Sequence, residues 1–150
     1  MLDVKQIIQD SAQVKTDMLD ACASDIQKGA QLMVDAAKSS KKILWCGNGG
    51  SAADAQHMAA ELMGGLVSHD RPPIASIALT TDASFLTAWA NDTGYESIFS
   101  RQIEGLGEPG DVLIAISTSG NSENVIRGID SAKSLSMKVI VLTGKSGGKM

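Results

Sequence analysis

Four short apolar segments, separated by helix-forming sequence, constrain the fold more than any other feature of this chain. In chain order they read KKILWCG, IASIAL, DVLIAIS and KVIVLTG, and each has the length of a buried strand. The segments between them, SAADAQHMAAELM, DASFLTAWA, ESIFSRQIEGL and NSENVIRGIDSAKSLS, have the composition of helices. Strands that alternate with helices form a parallel sheet covered on both faces. We therefore predict an α/β fold built on a doubly wound parallel sheet.

Helix-type spacing also runs through the start of the chain, from residue 2 to about residue 39, with no internal proline. Gly29 marks either a break between two helices or a tolerated defect within one. With 150 residues, the chain has the length of one domain. We predict a single domain, with a helical arm over residues 1–40 and an α/β core over residues 41–150.

Charge and cysteine content narrow the classes of partner. The net charge is −4 and the basic residues are scattered, whereas a nucleic-acid face needs a concentrated basic patch. Cys22 and Cys46 show neither CxxC spacing nor a disulfide pattern, so we interpret them as reduced thiols. The first residues lack the basic start of a signal peptide, and the apolar runs are too short to span a membrane. We expect a cytoplasmic protein with no nucleic-acid or membrane partner.

The sequence GNGGSAAD joins the first predicted strand to its helix. Free backbone N–H groups and the positive end of the helix dipole meet at such a turn, and glycines let a ligand approach the backbone. Ser51 and Asp54 have the S-x-x-D spacing of a capping box, so they either start the helix or contact a ligand, and helix initiation is the stronger interpretation for Asp54. The spacing differs from the G-x-G-x-x-G dinucleotide fingerprint. We name residues 47–51 the glycine loop and predict that it binds an anion.

A second turn of this kind, STSGNS, follows the third predicted strand and is named the serine loop, residues 117–122. By itself, such a turn is more typical of a solvated helix cap. Ligands of open α/β sheets, however, bind outside the carboxyl ends of the strands, where both loops are expected to lie. Together the two loops indicate a phosphorylated, polyhydroxy ligand.

His57 and Glu61 lie four residues apart on the first core helix and so share one face. This spacing suits two ligands of one metal, but it also suits an ordinary hydrogen-bonded pair on a helix surface. An ionisable pair on a largely apolar helix near a cleft is a functional candidate. Two ligands alone do not make a catalytic zinc site, which uses three protein ligands. His69, in a polar loop, is interpreted as a surface residue.

Five segments carry a resemblance to a known family. They read CGNGGSAADAQHMAAEL, RPPIASIALTTD, ANDTGYESIFSRQ, GDVLIAISTSGNSENVI and MKVIVLTGKSGGKM. Together they resemble the phosphoheptose isomerase family of the sugar isomerase (SIS) domain superfamily. The resemblance covers nearly all of residues 41–150 and is weaker in the N-terminal helices. Five motifs in one order are far more specific than any one of them.

The resemblance implies a five-stranded parallel sheet of the flavodoxin-like type and a homotetramer with its sites at subunit interfaces. It implies conversion of D-sedoheptulose 7-phosphate into D-glycero-D-manno-heptose 7-phosphate through an enediol, toward the heptose of bacterial lipopolysaccharide. The substrate-contacting positions that it implies are Asn48, Gly49, Gly50, Glu61, Asn91, Asp92, Ser117, Thr118, Ser119 and Ser122.

The resemblance also implies one zinc ion per subunit, with His57 and Glu61 as ligands and Glu61 as the catalytic carboxylate. In the family, a glutamine and a second histidine on a final helix complete the metal site and supply the partner acid/base. This sequence has no counterpart of that helix, because it stops at LTGKSGGKM after the fourth strand. We expect the remaining zinc ligands from a C-terminal segment outside this chain, which leaves open whether residues 1–150 alone are catalytically competent.

Two alternatives without catalysis share the fold. One is a SIS relative that binds the bacterial replication initiator protein, and such relatives tend to lose the helix glutamate and a glycine of the first loop. Gly50, Asp54 and Glu61 are all present here, which favours the enzyme. The other alternative is a sugar-phosphate sensor, which would bind its ligand without turnover.

Overall fold

A computed structural model describes residues 3–144 and 146–150 and divides the chain into two compact units, with the boundary between Leu32 and Met33. The first unit contains α1 (Val4–Ala21) and the start of α2 (Ala23–Lys38). α1 begins at Val4 because the Asp3 carboxylate accepts a hydrogen bond from the Lys5 N–H at 3.0 Å, which satisfies a donor that has no partner within the helix.

The two N-terminal helices are separated at Cys22, which ends α1. Gly29 lies inside α2 and does not interrupt it. The helical prediction for this part of the chain is confirmed, and Gly29 is the tolerated defect rather than the break.

The second unit is built on a parallel sheet of four strands. Their bounds are β1 (Ile43–Gly47), β2 (Ser76–Ala78), β3 (Val112–Ser117) and β4 (Lys138–Thr143). The strand order is β2-β1-β3-β4, and every neighbouring pair is parallel. This order equals the first four positions of the flavodoxin-like 2-1-3-4-5 arrangement. The fifth strand implied by the resemblance is not among the described residues.

Helices cover the sheet and supply the carboxyl-end loops with helix N-termini. They are α3 (Gly50–Gly64), α4 (Ala83–Asp92), α5 (Ile98–Leu106) and α6 (Glu123–Ser134), with a 3₁₀ turn at Tyr95–Ser97. Within the described ranges, no helix combines the length and apolar character needed to cross a membrane.

Two apolar cores confirm that the sheet is covered on both faces. Because side chains alternate along a strand, Ile43 and Trp45 of β1 belong to one core, while Leu44 and Cys46 belong to the other. The first core includes alanines of α2 and α3, and the second includes apolar residues of α5 and α6. The two central strands, β1 and β3, are almost completely buried, which explains why each of them is a continuous apolar run, whereas β2 and β4 are partly exposed.

A buried carboxylate joins the amino ends of β1 and β3. Asp111 is fully buried and accepts hydrogen bonds from the backbone N–H groups of Lys42 at 3.0 Å and Glu108 at 2.8 Å. Its second oxygen also lies 2.7 Å from the Lys42 ammonium. Because this charge is both paired and hydrogen-bonded, its burial is tolerated. The interaction fixes the two central strands at the end of the sheet opposite the two loops.

Candidate functional site

The glycine loop and the serine loop lie side by side at the carboxyl end of the sheet, as predicted. β1 and β3 are neighbours, and their register pairs Gly47 with Ile116, so both loops leave the sheet at the same level. The side chains of Asn48 and Asn124 connect the glycine loop to the first turn of α6. Each amide nitrogen donates to the oxygen of the other amide at 2.9 Å.

Glycine, rather than a side-chain cap, starts α3. The N-cap is Gly49, with φ 55° and ψ −119°, a conformation that only glycine adopts readily. Of the two interpretations of Ser51 and Asp54, the capping box is wrong, because α3 begins at Gly50 and no side chain caps it. A Cβ atom at Gly49 or Gly50 would meet no other atom within 4 Å. The N-terminus of α3 is therefore open to a ligand.

The serine loop combines hydroxyl groups with the N-terminus of α6. Ser117 ends β3 and is buried, and its hydroxyl lies 3.0 Å from that of Ser122, the N-cap of α6. The Ser119 hydroxyl accepts from the Asn121 N–H at 3.2 Å, and Thr118 and Ser119 are both exposed. Since no side chain caps α6, its first N–H groups remain open toward the loop. This arrangement suits an anion.

Gly144 and residues 146–150 contact the serine loop. The Lys149 N–H donates to the Gly120 carbonyl at 2.9 Å, and the Gly144 N–H donates to the Thr118 carbonyl at 3.2 Å. Gly120 has φ +64°, and a Cβ atom there would overlap the carbonyl of Gly147. Only glycine fits at this position, both by conformation and by space.

A cavity of about 90 Å³ opens beside the glycine loop. Its walls include residues 47–49 of the glycine loop, Thr80 and Tyr95. The Tyr95 hydroxyl donates to the side-chain oxygen of Asn48 at 3.0 Å. Because ligand pockets usually exceed roughly 300 Å³, this cavity alone accommodates only part of a sugar phosphate.

Asn91 and Asp92 lie at the C-terminal end of α4 and are both exposed. Their side chains contact each other, with the Asn91 amide donating to Asp92 at 2.8 Å. The hydrogen bonds described for these side chains do not reach either loop. The link to the glycine loop comes from Tyr95, three residues further along the chain.

His57 and Glu61 form a pair on α3, with His57 Nε2 3.3 Å from Glu61 Oε1. Their side chains are 71% and 32% exposed, so both reach solvent. The helical rise places Glu61 about 16 Å along α3 from Gly50. Among residues 3–144 and 146–150, no group of three or more His, Cys, Asp or Glu side chains is arranged to hold a metal ion. The pair therefore offers two metal donors of the types that zinc prefers, without a third.

The last turn of α3 is closed by two basic side chains from the loop that follows. Arg71 Nη2 donates to the backbone carbonyls of Glu61 at 3.0 Å and Leu62 at 2.7 Å. A ring nitrogen of His69 lies 3.0 Å from the Gly64 carbonyl. His69 is exposed, as predicted, and both side chains lie at the negative end of the helix. Arg71 thus contacts the backbone of Glu61 through a carbonyl.

Cys46 lies at the end of β1, one residue before the glycine loop, yet it is fully buried. Burial raises the pKa of its thiol to about 12. At neutral pH the thiol is therefore protonated and a poor nucleophile, so Cys46 is a core residue and not a reactive one.

Comparison with known proteins decides the family. The SIS domain profile matches residues 6–144. The phosphoheptose isomerase of Thiobacillus denitrificans is 55% identical over 140 residues, which are 93% of this chain and 71% of that protein. The phosphoheptose isomerase of Shewanella denitrificans is 51% identical over 147 residues, or 98% of this chain and 74% of that protein. The chain belongs to the phosphoheptose isomerase family of SIS domain proteins.

Solved structures of phosphoheptose isomerases share the fold. The protein from Neisseria gonorrhoeae is 46% identical with a TM-score of 0.90, and the protein from Francisella tularensis is 39% identical with a TM-score of 0.93. Each comparison covers 97% of this chain and 76% of the other. The resemblance in the sequence motifs is thus confirmed, as is the SIS-type doubly wound fold with helices at its start.

Sequence reasoning missed two residues that contact the candidate site of this phosphoheptose isomerase family member, Asn124 and Tyr95, which both hydrogen-bond to Asn48. A polar residue in the first turn of a helix usually faces solvent, so the local pattern gave no sign that Asn124 is buried. Tyr95 follows Gly94 in what reads as a loop, and nothing nearby in the sequence points to Asn48. The only available signal was the expectation that both loops lie at the same end of the sheet. That expectation places the start of α6, and therefore Asn124, next to the glycine loop.

Proposed function

We propose that this chain is a phosphoheptose isomerase, which converts D-sedoheptulose 7-phosphate into D-glycero-D-manno-heptose 7-phosphate for bacterial lipopolysaccharide. The observation that carries the proposal is that Asn48 and Asn124 join the glycine loop to the first turn of α6, the helix that follows the serine loop. Two adjacent helix N-termini with hydroxyl and amide groups suit a sugar phosphate. The 51% and 55% identity to phosphoheptose isomerases supports the same conclusion.

In this proposal the serine loop holds the phosphate and the glycine loop holds the sugar. The hydroxyl groups of Ser117, Thr118, Ser119 and Ser122 join the open N–H groups of α6 around the anion. Asn48, Gly49 and Gly50 contact the sugar through N–H groups. Asn91 and Asp92, at the end of α4, contact the sugar hydroxyls.

Glu61 is the proposed base of the reaction. An aldose–ketose isomerisation moves a proton between two adjacent carbons through an enediol. The Glu61 carboxylate takes a proton from C1 of the ketose and returns it to C2, while the hydroxyl proton on O1 leaves and O2 gains one. The side chain of Glu61 is partly exposed, so its carboxylate is accessible to a substrate.

We further propose one zinc ion per subunit at His57 and Glu61. These two side chains fit zinc in donor type and in their separation of 3.3 Å. When bound, zinc would act as a Lewis acid on the substrate's carbonyl oxygen. The described residues provide two of the three protein ligands that a catalytic zinc needs. We assign the third to the family's C-terminal region, since the relatives are longer than the part matched here.

We also propose a homotetramer with sites at subunit interfaces, located in the cytoplasm. The distance between the loops and the proposed base supports sites at subunit interfaces. Glu61 lies about 16 Å along α3 from the glycine loop, which is too far for both to contact the same sugar carbons within one subunit. Loops from one subunit and Glu61 from a neighbour can then face one substrate. The two free cysteines fit a reducing compartment.

The test of this proposal is the substitution Glu61→Gln, made in the protein that also carries the C-terminal segment with the remaining zinc ligands. It keeps the size of the side chain but removes the base, so turnover of sedoheptulose 7-phosphate should fall at least about 100-fold. Binding of the sugar phosphate, measured by calorimetry, should change only slightly. Glu104→Gln, at an exposed carboxylate of α5, is the matched control and should leave turnover unchanged.

The outcomes also separate the enzyme from its alternatives. Turnover by Glu61→Gln near the wild-type rate would exclude Glu61 as the base. In the protein that carries the C-terminal segment, wild-type binding of sedoheptulose 7-phosphate without turnover would favour a sensor. Absence of both binding and turnover, together with binding of the replication initiator protein, would favour the non-catalytic SIS alternative.

A further inference from the structure

We infer that Asn124 is a positioning residue, which fixes the amide of Asn48 so that Asn48 meets the substrate only as an N–H donor. The inference rests on the proposed function for the identity of the substrate. It concerns the reciprocal pair of Asn48 and Asn124 and the hydroxyl of Tyr95.

Hydrogen bonds within the protein use most of the donor and acceptor positions of the Asn48 side-chain amide. A side-chain amide has two donor hydrogens and an oxygen that accepts two bonds. The Asn48 oxygen accepts from Asn124 Nδ2 at 2.9 Å and from the Tyr95 hydroxyl at 3.0 Å, so both of its acceptor positions are used. One Asn48 N–H donates to the Asn124 oxygen at 2.9 Å. One N–H is left for a ligand.

Asn124 is suited to hold that orientation because it is buried. It is 4% exposed in the first turn of α6, whereas Asn48 is only partly buried. A buried amide must keep its hydrogen bonds, since an unpaired polar group in the interior is costly. The reciprocal pair requires a donor and an acceptor on each side, which another amide supplies but an aliphatic side chain of similar size does not.

The pair also connects the two halves of the proposed substrate site. Asn124 lies two residues after Ser122, while Asn48 lies between β1 and Gly49. A change in the amide of Asn124 is therefore transmitted to the sugar end through Asn48, without removing a hydroxyl from the serine loop.

The experiment is a double-mutant cycle on Asn48 and Asn124, with Asn48→Ala, Asn124→Leu and the double variant. Asn124→Leu should raise the KM for sedoheptulose 7-phosphate about tenfold, with a smaller change in kcat. Since Asn124 acts through Asn48, the double variant should be no worse than Asn48→Ala alone. Tyr95→Phe removes one of the two bonds to the Asn48 oxygen and should give a smaller rise in KM. Additive effects of the two substitutions would overturn the inference.

A control separates positioning from stability. Ile129→Ala removes a buried side chain from the core face of α6 and should lower the Tm without changing KM. If Ile129→Ala raises KM as much as Asn124→Leu does at equal loss of Tm, the effect of Asn124 is structural and the inference is wrong.

A spectroscopic measurement tests the inference even if the chain does not act on sedoheptulose 7-phosphate. In ¹⁵N-labelled protein, the side-chain N–H₂ signals of Asn48, assigned with Asn48→Ala, should exchange slowly with water. They should shift and exchange faster in Asn124→Leu. Unchanged Asn48 signals in that variant would refute positioning, whereas a wild-type chain that neither binds nor converts the sugar phosphate would refute only the proposed function.

Discussion

The side chains in and near the glycine loop and on α3 differ in which of their chemical groups remain free to contact a ligand. Asn48 has its oxygen occupied by Asn124 and Tyr95, which leaves a donor. Cys46, two residues earlier, is a buried thiol whose pKa is raised to about 12, which leaves no nucleophile. Glu61 has a partly exposed carboxylate beside His57, which leaves the carboxylate accessible for its proposed roles as base and metal ligand.

At the scale of single residues, the proposed zinc site gives a prediction about His57. His57→Ala should weaken zinc binding at least about tenfold, because it removes one of two adjacent donors. Zinc affinity, measured by competition with a chromophoric chelator, checks this. The wild-type chain itself should bind zinc weakly, since the described residues supply fewer than three ligands.

His69→Ala is the matched control, because His69 lies at the C-terminal end of α3, 3.0 Å from the Gly64 carbonyl and apart from the His57–Glu61 pair. It should leave zinc affinity unchanged. Equal losses in the two histidine variants, or no zinc binding by the wild-type chain at millimolar zinc, would contradict the assignment.

Among the elements, the two loops depend on glycines at positions of close contact. A Cβ atom at Gly47 would lie 2.8 Å from the Ser51 Cβ and 3.0 Å from the Ile116 carbonyl, so glycine lets α3 start directly against β3. Gly120 has the same function at the serine loop, where residues 146–150 contact it. Both helix N-termini are thereby held at one end of the sheet.

The serine loop should carry most of the phosphate affinity. Ser119→Ala combined with Ser122→Ala removes two hydroxyl groups beside an open helix N-terminus, so sugar-phosphate binding should weaken about tenfold or more. The Tm should fall by a few degrees at most: Ser122→Ala removes the hydroxyl that lies 3.0 Å from that of buried Ser117, whereas Ser119 is exposed. Calorimetric titration measures the binding.

Ser134→Ala serves as the control for this pair of substitutions. Its hydroxyl donates to the Ser131 carbonyl at the far end of α6, away from the serine loop. This variant should bind like the wild type. Undiminished binding by the double alanine variant would show that the phosphate lies elsewhere.

At the scale of the whole molecule, α1 has an apolar face that nothing within its own unit buries. None of its residues is buried. At 100° per residue, its larger apolar side chains fall within an arc of about 140°. They are Val4, Ile7, Ile8, Val14, Met18 and Leu19, and they are 41–69% exposed. A continuous apolar face of this kind supports the proposed self-association.

We predict that Ile8→Lys together with Leu19→Lys dissociates the oligomer, because two charges would have to be buried at the interface. Sedimentation velocity at micromolar concentration measures the result. Gln13→Lys is the control, since Gln13 lies about 180° around α1 from Val4 and should leave assembly intact. A monomeric wild-type chain would contradict the tetramer, and an intact oligomer in the double lysine variant would show that the apolar face of α1 is not its interface.

The strands, the helices and the identity of the two loops could be predicted from the sequence because their signals are local. Apolar runs, helix-type spacing and glycine-rich turns act over a few residues, and all four predicted strands are present. Local signals misplaced the start of α3, where Ser51 and Asp54 suggested a capping box but Gly49 caps the helix. Backbone conformation at a glycine is not readable from side-chain spacing.

What only the tertiary structure decided is which distant residues meet. Asn48 and Asn124 are 76 positions apart, and they pair because β1 and β3 are neighbours in register. The same packing buries Cys46 and sets His57 and Glu61 on the exposed side of α3. Composition and spacing determined the residue types at the site, whereas strand order and burial determined which of their atoms remain free to bind, because hydrogen bonding and solvation depend on neighbours in space.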